Sequence, residues 1–479
     1  MKFAAMFLVS LVPLGQAGSP DYFAPQHRVS GIGVDRDDLS ADLLAVRSDL
    51  MVQSQTFGIM RDPQAVAGAR RITRDARLQS LFRTSAARNG LPVTTLEAIA
   101  YLESWGDARA ESPSGPRGIM QISAATARSM GLKVMQVTRY KVTRERVAVR
   151  PRKDGKPRYE TVTHRTPYVA FVRDDRMIPE RAIPAAAHYL AGMEQKYGGL
   201  DWAIFAYHCG QGCVNQMQDL TRRARGIPSD QFGVARMFFS CSPAWNRELY
   251  EAIQQEMQRD WSPTYYFRVM RAEQLLALYR RAPAEFQSLW DAYRTQFGAA
   301  AVRAPQRLSV WLKHDDLVFH SSDDIRGDAG KRLAKAFDRP EYFGYRLKIV
   351  PDVPENLDAF SQASPAALGA LAYISFETRR LMEQMGSQGE TFRPLDVVSL
   401  VEPEDFARRQ GQDEALMHCS GQVFDIDYST LPQAEVEALR FVLDDLGWDG
   451  YLGFVEEGRT NLHIGCSPAS RDFFSSVFE

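Results

Sequence analysis

The chain has 479 residues, 45% of them hydrophobic and 24% charged, with a formal net charge of −1. That length exceeds what a single hydrophobic core usually serves, so two or three domains are expected. A near-neutral balance excludes a whole-molecule field that would hold nucleic acid or an acidic membrane, so any basic footprint must be local.

In chain order, Lys2 followed by the apolar stretch Phe3 to Leu14 and the small-residue site Gly15-Gln16-Ala17 reads as a signal peptide over residues 1–17. The stretch is too short to cross a bilayer. No later segment is apolar enough to do so, and a secreted, periplasmic chain is expected. Residues 18–77 are polar with few periodic runs and read as a loosely structured lead-in. From Leu78 the pattern turns helical. Thr94 and Glu97, three apart, suggest a capping box. Leu96, Ile99, Ala100 and Glu103 then fall on one helix face, which aims a carboxylate towards the core side.

Residues 133–173 change character. Val147 and Val149 on one side, and Tyr159, Thr161 and Thr163 on the other, alternate at period two around Asp154-Gly155, which predicts an inserted β-hairpin. It carries Arg139, Lys141, Arg144, Arg146, Arg150, Arg152, Lys153, Lys156 and Arg158. Such a charge run suits a solvated ribbon or contact with an anionic polymer. Helical pattern returns over 180–197, 202–220 and 246–297, which completes a mostly α domain over 78–300. Residues 301–365 read as a bridge ending in a linker from Pro354 to Pro365. The remainder, 366–479, alternates helices with short strands. The fold class is therefore α+β: a larger helical domain with a hairpin insertion and a smaller C-terminal α+β domain.

Five cysteines form an N-terminal trio (Cys209, Cys213, Cys241) and a C-terminal pair (Cys419, Cys466). Each cluster has room for one disulfide in an oxidising compartment, and a Cys419–Cys466 bridge is preferred over thiolate ligation.

Glu103-Ser104 is followed by a Gly/Pro/Ser loop and by Gly118-Ile119-Met120-Gln121. A carboxyl half-enclosed by apolar side chains holds its proton more readily and suits general-acid cleavage of a glycosidic bond. The acids nearby, Asp107 and Glu111, lie on the loop and read as solvated. With Ala185-Ala186-Ala187-His188-Tyr189-Leu190 and Ala206-Tyr207-His208-Cys209-Gly210, these segments resemble the soluble lytic transglycosylase family over about residues 80–220. The resemblance implies a goose-lysozyme-like fold and peptidoglycan glycan strands as substrate. It also implies cleavage of the β-1,4 bond between N-acetylmuramic acid and N-acetylglucosamine to give 1,6-anhydro ends, with no cofactor. Glu103 would serve as lone acid and base. Ser112 and Gln121 would bond the carboxyl or the sugar, Met120 would line the cleft, and Tyr207 would orient Glu103. Read without the family, Met120 and Tyr207 suit a core and Ser112 a turn. His208 departs from the family, which places Asn there; imidazole can stand in for an amide, with a pH-dependent charge. A hydrolytic muramidase and a non-catalytic wall-binding protein are the alternative readings.

Near the C-terminus, His418 and Asp425 are seven apart around Gly421, and His463 follows on a strand-like run. Two histidines and a carboxylate can hold zinc with one position open. With Pro394 to Leu400 upstream, this region resembles D,D-carboxypeptidase and Hedgehog-type zinc peptidases over about 366–475. The resemblance implies Zn²⁺ on His418, Asp425 and His463 and action on peptidoglycan stem peptides. It departs at Thr460, where those peptidases carry a Glu, and at Val401-Glu402-Pro403, where they carry a cation. Glu456 and Glu457 lie further back.

Overall fold

A computed structural model describes residues 39–149, 158–260, 262–294, 317–386, 392–411, 418–457, 459–467 and 470–478. The proposed signal segment and the hairpin turn Asp154-Gly155 lie outside them. The described chain is mostly helical with some sheet, and among the described residues no helix is long and apolar enough to cross a membrane. It divides into two compact units: residues 64–203 with 272–281, and residues 1–63 with 204–271 and 282–479.

The first of these units is built on three consecutive helices, Ala65–Arg74, Ala76–Asn89 and Val93–Ser104, with Pro179–Tyr197 packed against the second. Leu78, Phe82 and Ala86 recur at four-residue spacing and are buried, as are Ala182, Ile183, Ala186, Ala187 and Leu190 of Pro179–Tyr197. Asp75 caps Ala76–Asn89 by accepting from the amides of Arg77 and Leu78, and Gly90 closes it at φ +70°.

The capping box expected at Thr94 and Glu97 does not form, and Val93–Ser104 starts directly after Pro92. The Glu97 carboxylate is buried and taken instead by Gln79 Nε2 at 2.7 Å and Arg280 Nη2 at 2.5 Å. A buried long-range ion pair outcompetes a local cap exposed to water.

The hairpin is present as β1 (Val134–Val149) and β2 (Arg158–Asp174), antiparallel from Val134↔Asp174 to Val149↔Arg158, with an irregularity between Met135 and Gln136. At its foot the chain makes a 3₁₀ turn, Asp175–Met177. Burial alone would raise the Asp175 carboxyl, but the Lys133 amide and the Arg173 and Arg181 guanidiniums hold it down at about 2. An acid depressed from 3.8 stabilises the fold above pH ~4, and that contribution is lost as pH falls through ~2. Both arginines are part-exposed and screened, so Asp175→Asn should cost about 1–2 kcal/mol at pH 7 and almost nothing at pH 2. Thermal unfolding at both pH values checks this; an equal cost at pH 2 would contradict it.

The second unit holds a five-stranded sheet. Its order is Tyr345–Leu347, Leu395–Ser399, Val423–Asp427, Asn461–Cys466, Leu452–Glu457. The first pair is parallel and the rest antiparallel. Helices Pro365–Gln384 and Arg471–Phe478 pack together, and Gln433–Trp448 packs against the first of them.

Two expectations are corrected. Residues 41–74 are not loose; they form the helices Ala41–Ser54, Thr56–Met60 and Ala65–Arg74. Within the sheet-bearing unit, Arg47 is buried, bonded to Asp445 and to Asp449 (3.0 Å), and lies 4.5 Å over the Phe239 ring. A buried cation interrupts the apolar stripe and hides the helix from a periodicity reading. The Pro354–Pro365 stretch is not a linker either. Pro354 and Pro365 open helical turns, and Ala359 and Phe360 are buried with Phe319, Ile325, Val401 and Phe406. Proline fits the first turn of a helix, so it marked starts here and not a break.

Candidate functional site

Glu103 sits on the last turn of Val93–Ser104, half-buried, on the face whose Leu96, Ile99 and Ala100 are fully buried. Ser104 Oγ donates to the Ile119 carbonyl at 2.8 Å, which ties the carboxylate-bearing turn to the Gly118–Gln121 turn. Trp105 ends the helix at φ +53°, and Arg71 Nη1 donates to its carbonyl at 2.7 Å. Tyr101, whose hydroxyl donates to the Ala65 carbonyl, stands edge-on to the Trp105 ring.

The loop after Glu103 is held by its own backbone. Ser112 N donates to the Pro116 carbonyl, and Gly115 N to that of Ser112. Ser112 Oγ lies 2.8 Å from Ser114 Oγ and 3.3 Å from Ser114 N, so Ser112 forms the turn. Gly118 has φ +79°, and a Cβ there would stand 1.9 Å from the Arg176 carbonyl oxygen. Only glycine lets the two segments approach this closely. Gln121 adopts φ +43°, and its Nε2 donates to the carbonyls of Ala110 (3.1 Å) and Gly118 (2.9 Å). Met120 is fully buried.

The neighbouring acids are engaged elsewhere. Asp107 Oδ1 accepts from Arg109 N, and exposed Glu111 pairs with Arg117 at 2.7 Å. Both readings as structural surface acids fit this arrangement.

Sequence reasoning missed Arg176. It is fully buried, with Nε and Nη2 on Asp174 (2.8 and 2.7 Å) and Nη1 on the carbonyls of Gly115 and Ile122 (3.1 Å each). Arg117 and Arg176 flank the Phe171 ring at 4.0 and 5.2 Å. This arginine pins the foot of the hairpin to the middle and the end of the loop that follows Glu103. Nothing local in the sequence distinguishes it from the other hairpin arginines.

Tyr207 and His208 fall in the sheet-bearing unit, on the helical segment Leu200–Arg223, which breaks at Gly210 (φ +82°). Both are half-buried. His208 stacks on Tyr265 with centroids 4.4 Å apart, and its Nδ1 lies 2.8 Å from Ser262 Oγ. Ser262 Oγ donates to Asp260 Oδ1 at 2.6 Å, so His208 Nδ1 must be the donor to Ser262, leaving Nε2 as an acceptor. Burial pushes the imidazole below its usual pKa; Asp260 opposes that and Arg268 adds to it. His208 is thus biased towards the neutral ring that can replace an amide.

In the same unit, Asp425 and His463 are direct cross-strand partners, and His418 arrives from the turn His418–Ser420. His463 Nδ1 and His418 Nε2 converge on Asp425 Oδ1 at 2.8 and 3.2 Å, and one potential ligand atom from each residue lies within 4.8 Å of the others. His418 Nδ1 donates to the Leu400 carbonyl at 2.7 Å, which leaves Nε2 for the cluster. Asn461 Nδ2 donates to Asp425 Oδ2 at 3.1 Å and orients the carboxylate. Burial opposes both charges. Even so, Asp425 raises His418 to about 9, while His418 and His463 hold the Asp425 carboxyl far below the usual range. The donor set and its outer partners fit a zinc ion.

Glu456 is not part of this cluster. It bonds the Tyr428 hydroxyl and Arg440, and its pairing with Leu462 puts it on the face opposite His463. Glu402 is near it: Ser399 Oγ donates to Glu402 Oε1 at 2.5 Å and lies 3.1 Å from His418 Nδ1.

The expected disulfides do not form: none of the five cysteines, all among the described residues, is bridged. Cys466 Sγ donates to the Ala366 carbonyl. Cys209 bonds the Gly210 carbonyl and Cys213, and burial pushes its thiol pKa up.

Residues 80–146 and 160–227 match the family model of the transglycosylase SLT domain, and the gap between them falls in the hairpin. The chain is 32% identical over 139 residues to the peptidoglycan transglycosylase gp16 of Escherichia phage T7. It is 40% identical over 161 residues to a membrane-bound lytic murein transglycosylase F of Alkalilimnicola ehrlichii. The matches take in 29% and 32% of this chain but 8% and 27% of those relatives. An inactive mutant of the lytic transglycosylase Slt from Pseudomonas aeruginosa aligns at 16% identity and a TM-score of 0.26, over 51% of this chain and 31% of that one.

Proposed function

We propose that this chain is a periplasmic peptidoglycan lytic transglycosylase and that Glu103 carries the chemistry. The observation behind the reading is a half-buried carboxylate on an apolar helix face, locked to the Gly118–Gln121 turn, while both neighbouring acids are committed to loop contacts. Glu103 donates its proton to the bridging oxygen as the muramic C1–O bond breaks. The substrate's acetamido oxygen supports the electron-poor C1 in place of a second protein carboxylate. The C6 hydroxyl then attacks C1 and gives its proton back to Glu103, which closes the 1,6-anhydro ring and restores the acid. Digestion of intact sacculi tests this. Anhydro-muropeptides are expected, one water lighter than the reducing-end products a muramidase would release.

His418, Asp425 and His463 hold a divalent metal ion, zinc foremost. Bound there, the ion would supply Lewis acidity, and the two imidazoles and the carboxylate would hold it in their deprotonated forms. Full-length protein should contain about one zinc equivalent, and His418→Ala nearly none, by elemental analysis. Equal zinc in both would remove the site. Two histidines and one carboxylate would leave a bound ion able to take substrate or water as well, and stem-peptide cleavage would then be the second activity. Zinc-loaded Glu103→Gln protein isolates it: shortened stem peptides from sacculi would support it, and unchanged peptides would leave a metal site that only recognises them.

A further inference from the structure

The ribbon β1–β2 has a chemistry that glycan cleavage does not use. From Arg139 to Val147, and from Tyr159 to Val169, every residue is exposed. A two-stranded ribbon with nothing packed on it is marginally stable in water, and polar side chains would be expected along it. Instead large apolar groups are bare: Tyr140 is 60% exposed, Val142 53% and Val169 59%.

The register sorts the charges. Residues paired across the strands share a face, so Tyr140, Val142, Arg144 and Arg146 lie with Val169, Arg165 and Thr163. That face has three arginines and no acid among its described residues. The opposite face carries Arg139, Lys141 and Arg158 against Glu145 and Glu160, and its His164 is 3.5 Å from Glu145. The faces therefore differ in their acids: both expose apolar groups, Val137, Val147, Val162 and Tyr168 among them on the second, but only the first carries arginines with no acid to offset them.

We propose that the Tyr140–Arg165 face of the ribbon docks onto the surface of an anionic phospholipid bilayer. Arginines alone would fit any polyanion. The valines and Tyr140 decide the class, because aliphatic groups gain little from sugars or a soluble polyanion. A bilayer interface offers phosphates at the surface and a less polar layer just beneath, where arginine, tyrosine and valine are each accommodated. The acid-bearing face then stays in water.

Co-sedimentation of the full-length chain with vesicles tests the assignment. Binding to mixed phosphatidylglycerol and phosphatidylcholine vesicles is expected, weakening with salt, with little binding to phosphatidylcholine alone. Combined Arg144→Gln, Arg146→Gln and Arg165→Gln should weaken it roughly 100-fold. Tyr140→Ser with Val142→Ser and Val169→Ser should also weaken it, and by a factor that high salt does not erase. Both variants should keep the parent circular dichroism and release muropeptides from sacculi, which separates this role from that of Glu103. The proposal fails if the chain ignores the mixed vesicles or binds both lipid compositions equally. It fails too if soluble polyglutamate binds as tightly and the serine variant matches wild type, which would make the partner a polyanion.

Discussion

Glu103→Gln should lower muropeptide release about 1,000-fold while leaving glycan binding and thermal stability near wild type. The amide keeps the shape of the side chain on the Leu96–Ile99–Ala100 face but can neither give the bridging oxygen a proton nor take one from the C6 hydroxyl. Both half-reactions are lost together. Glu111→Gln is the internal control: it breaks an exposed pair with Arg117 and should change turnover less than about 3-fold. Initial rates on purified sacculi, with binding measured separately by pull-down, check both. A large loss for Glu111→Gln would move the chemistry off Glu103.

Arg176→Leu carries the largest expected structural cost. It strands the Asp174 carboxylate, which is nearly buried, and leaves the carbonyls of Gly115 and Ile122 without their donor. Breaking a buried pair by removing one partner costs about 3–5 kcal/mol. Arg117, 3.9 Å from Asp174, recovers only part of it. Arg173→Leu, from a part-exposed position on Asp175, should cost about 1 kcal/mol. Thermal melts rank the two. Amide exchange should show the loss concentrated in residues 110–122, since that loop hangs on Arg176. A uniform rise across the chain, or a small shift for Arg176→Leu, would contradict the pinning role.

These cases also show which parts of the molecule its sequence reveals. The Glu103 face was legible because Leu96, Ile99 and Ala100 repeat at helical spacing. The hairpin was legible because β-branched residues alternate on both sides of Asp154-Gly155. The histidine–carboxylate cluster was legible in its spacing, and the Asp425↔His463 register then brings two of its members face to face. What stayed hidden depends on distant partners. Glu97 looked like a cap because Arg280, which takes it, lies far along the chain. Helix Ala41–Ser54 escaped notice because its buried face includes Arg47, whose neutralising acids are Asp445 and Asp449. Gly118 and Arg176 need each other, and neither signals this locally. The cysteine clusters looked suited to disulfides by compartment, yet none is bridged, and Cys466 Sγ bonds the Ala366 carbonyl.

The central claim is that one carboxylate, Glu103, closes an intramolecular ring. Mass spectrometry of muropeptides from sacculi, digested side by side by wild type and Glu103→Gln, tests it most directly. 1,6-Anhydro ends are expected from wild type and none above background from the variant. Reducing-end muramic acid from wild type, or anhydro ends from the variant at the wild-type rate, would contradict it.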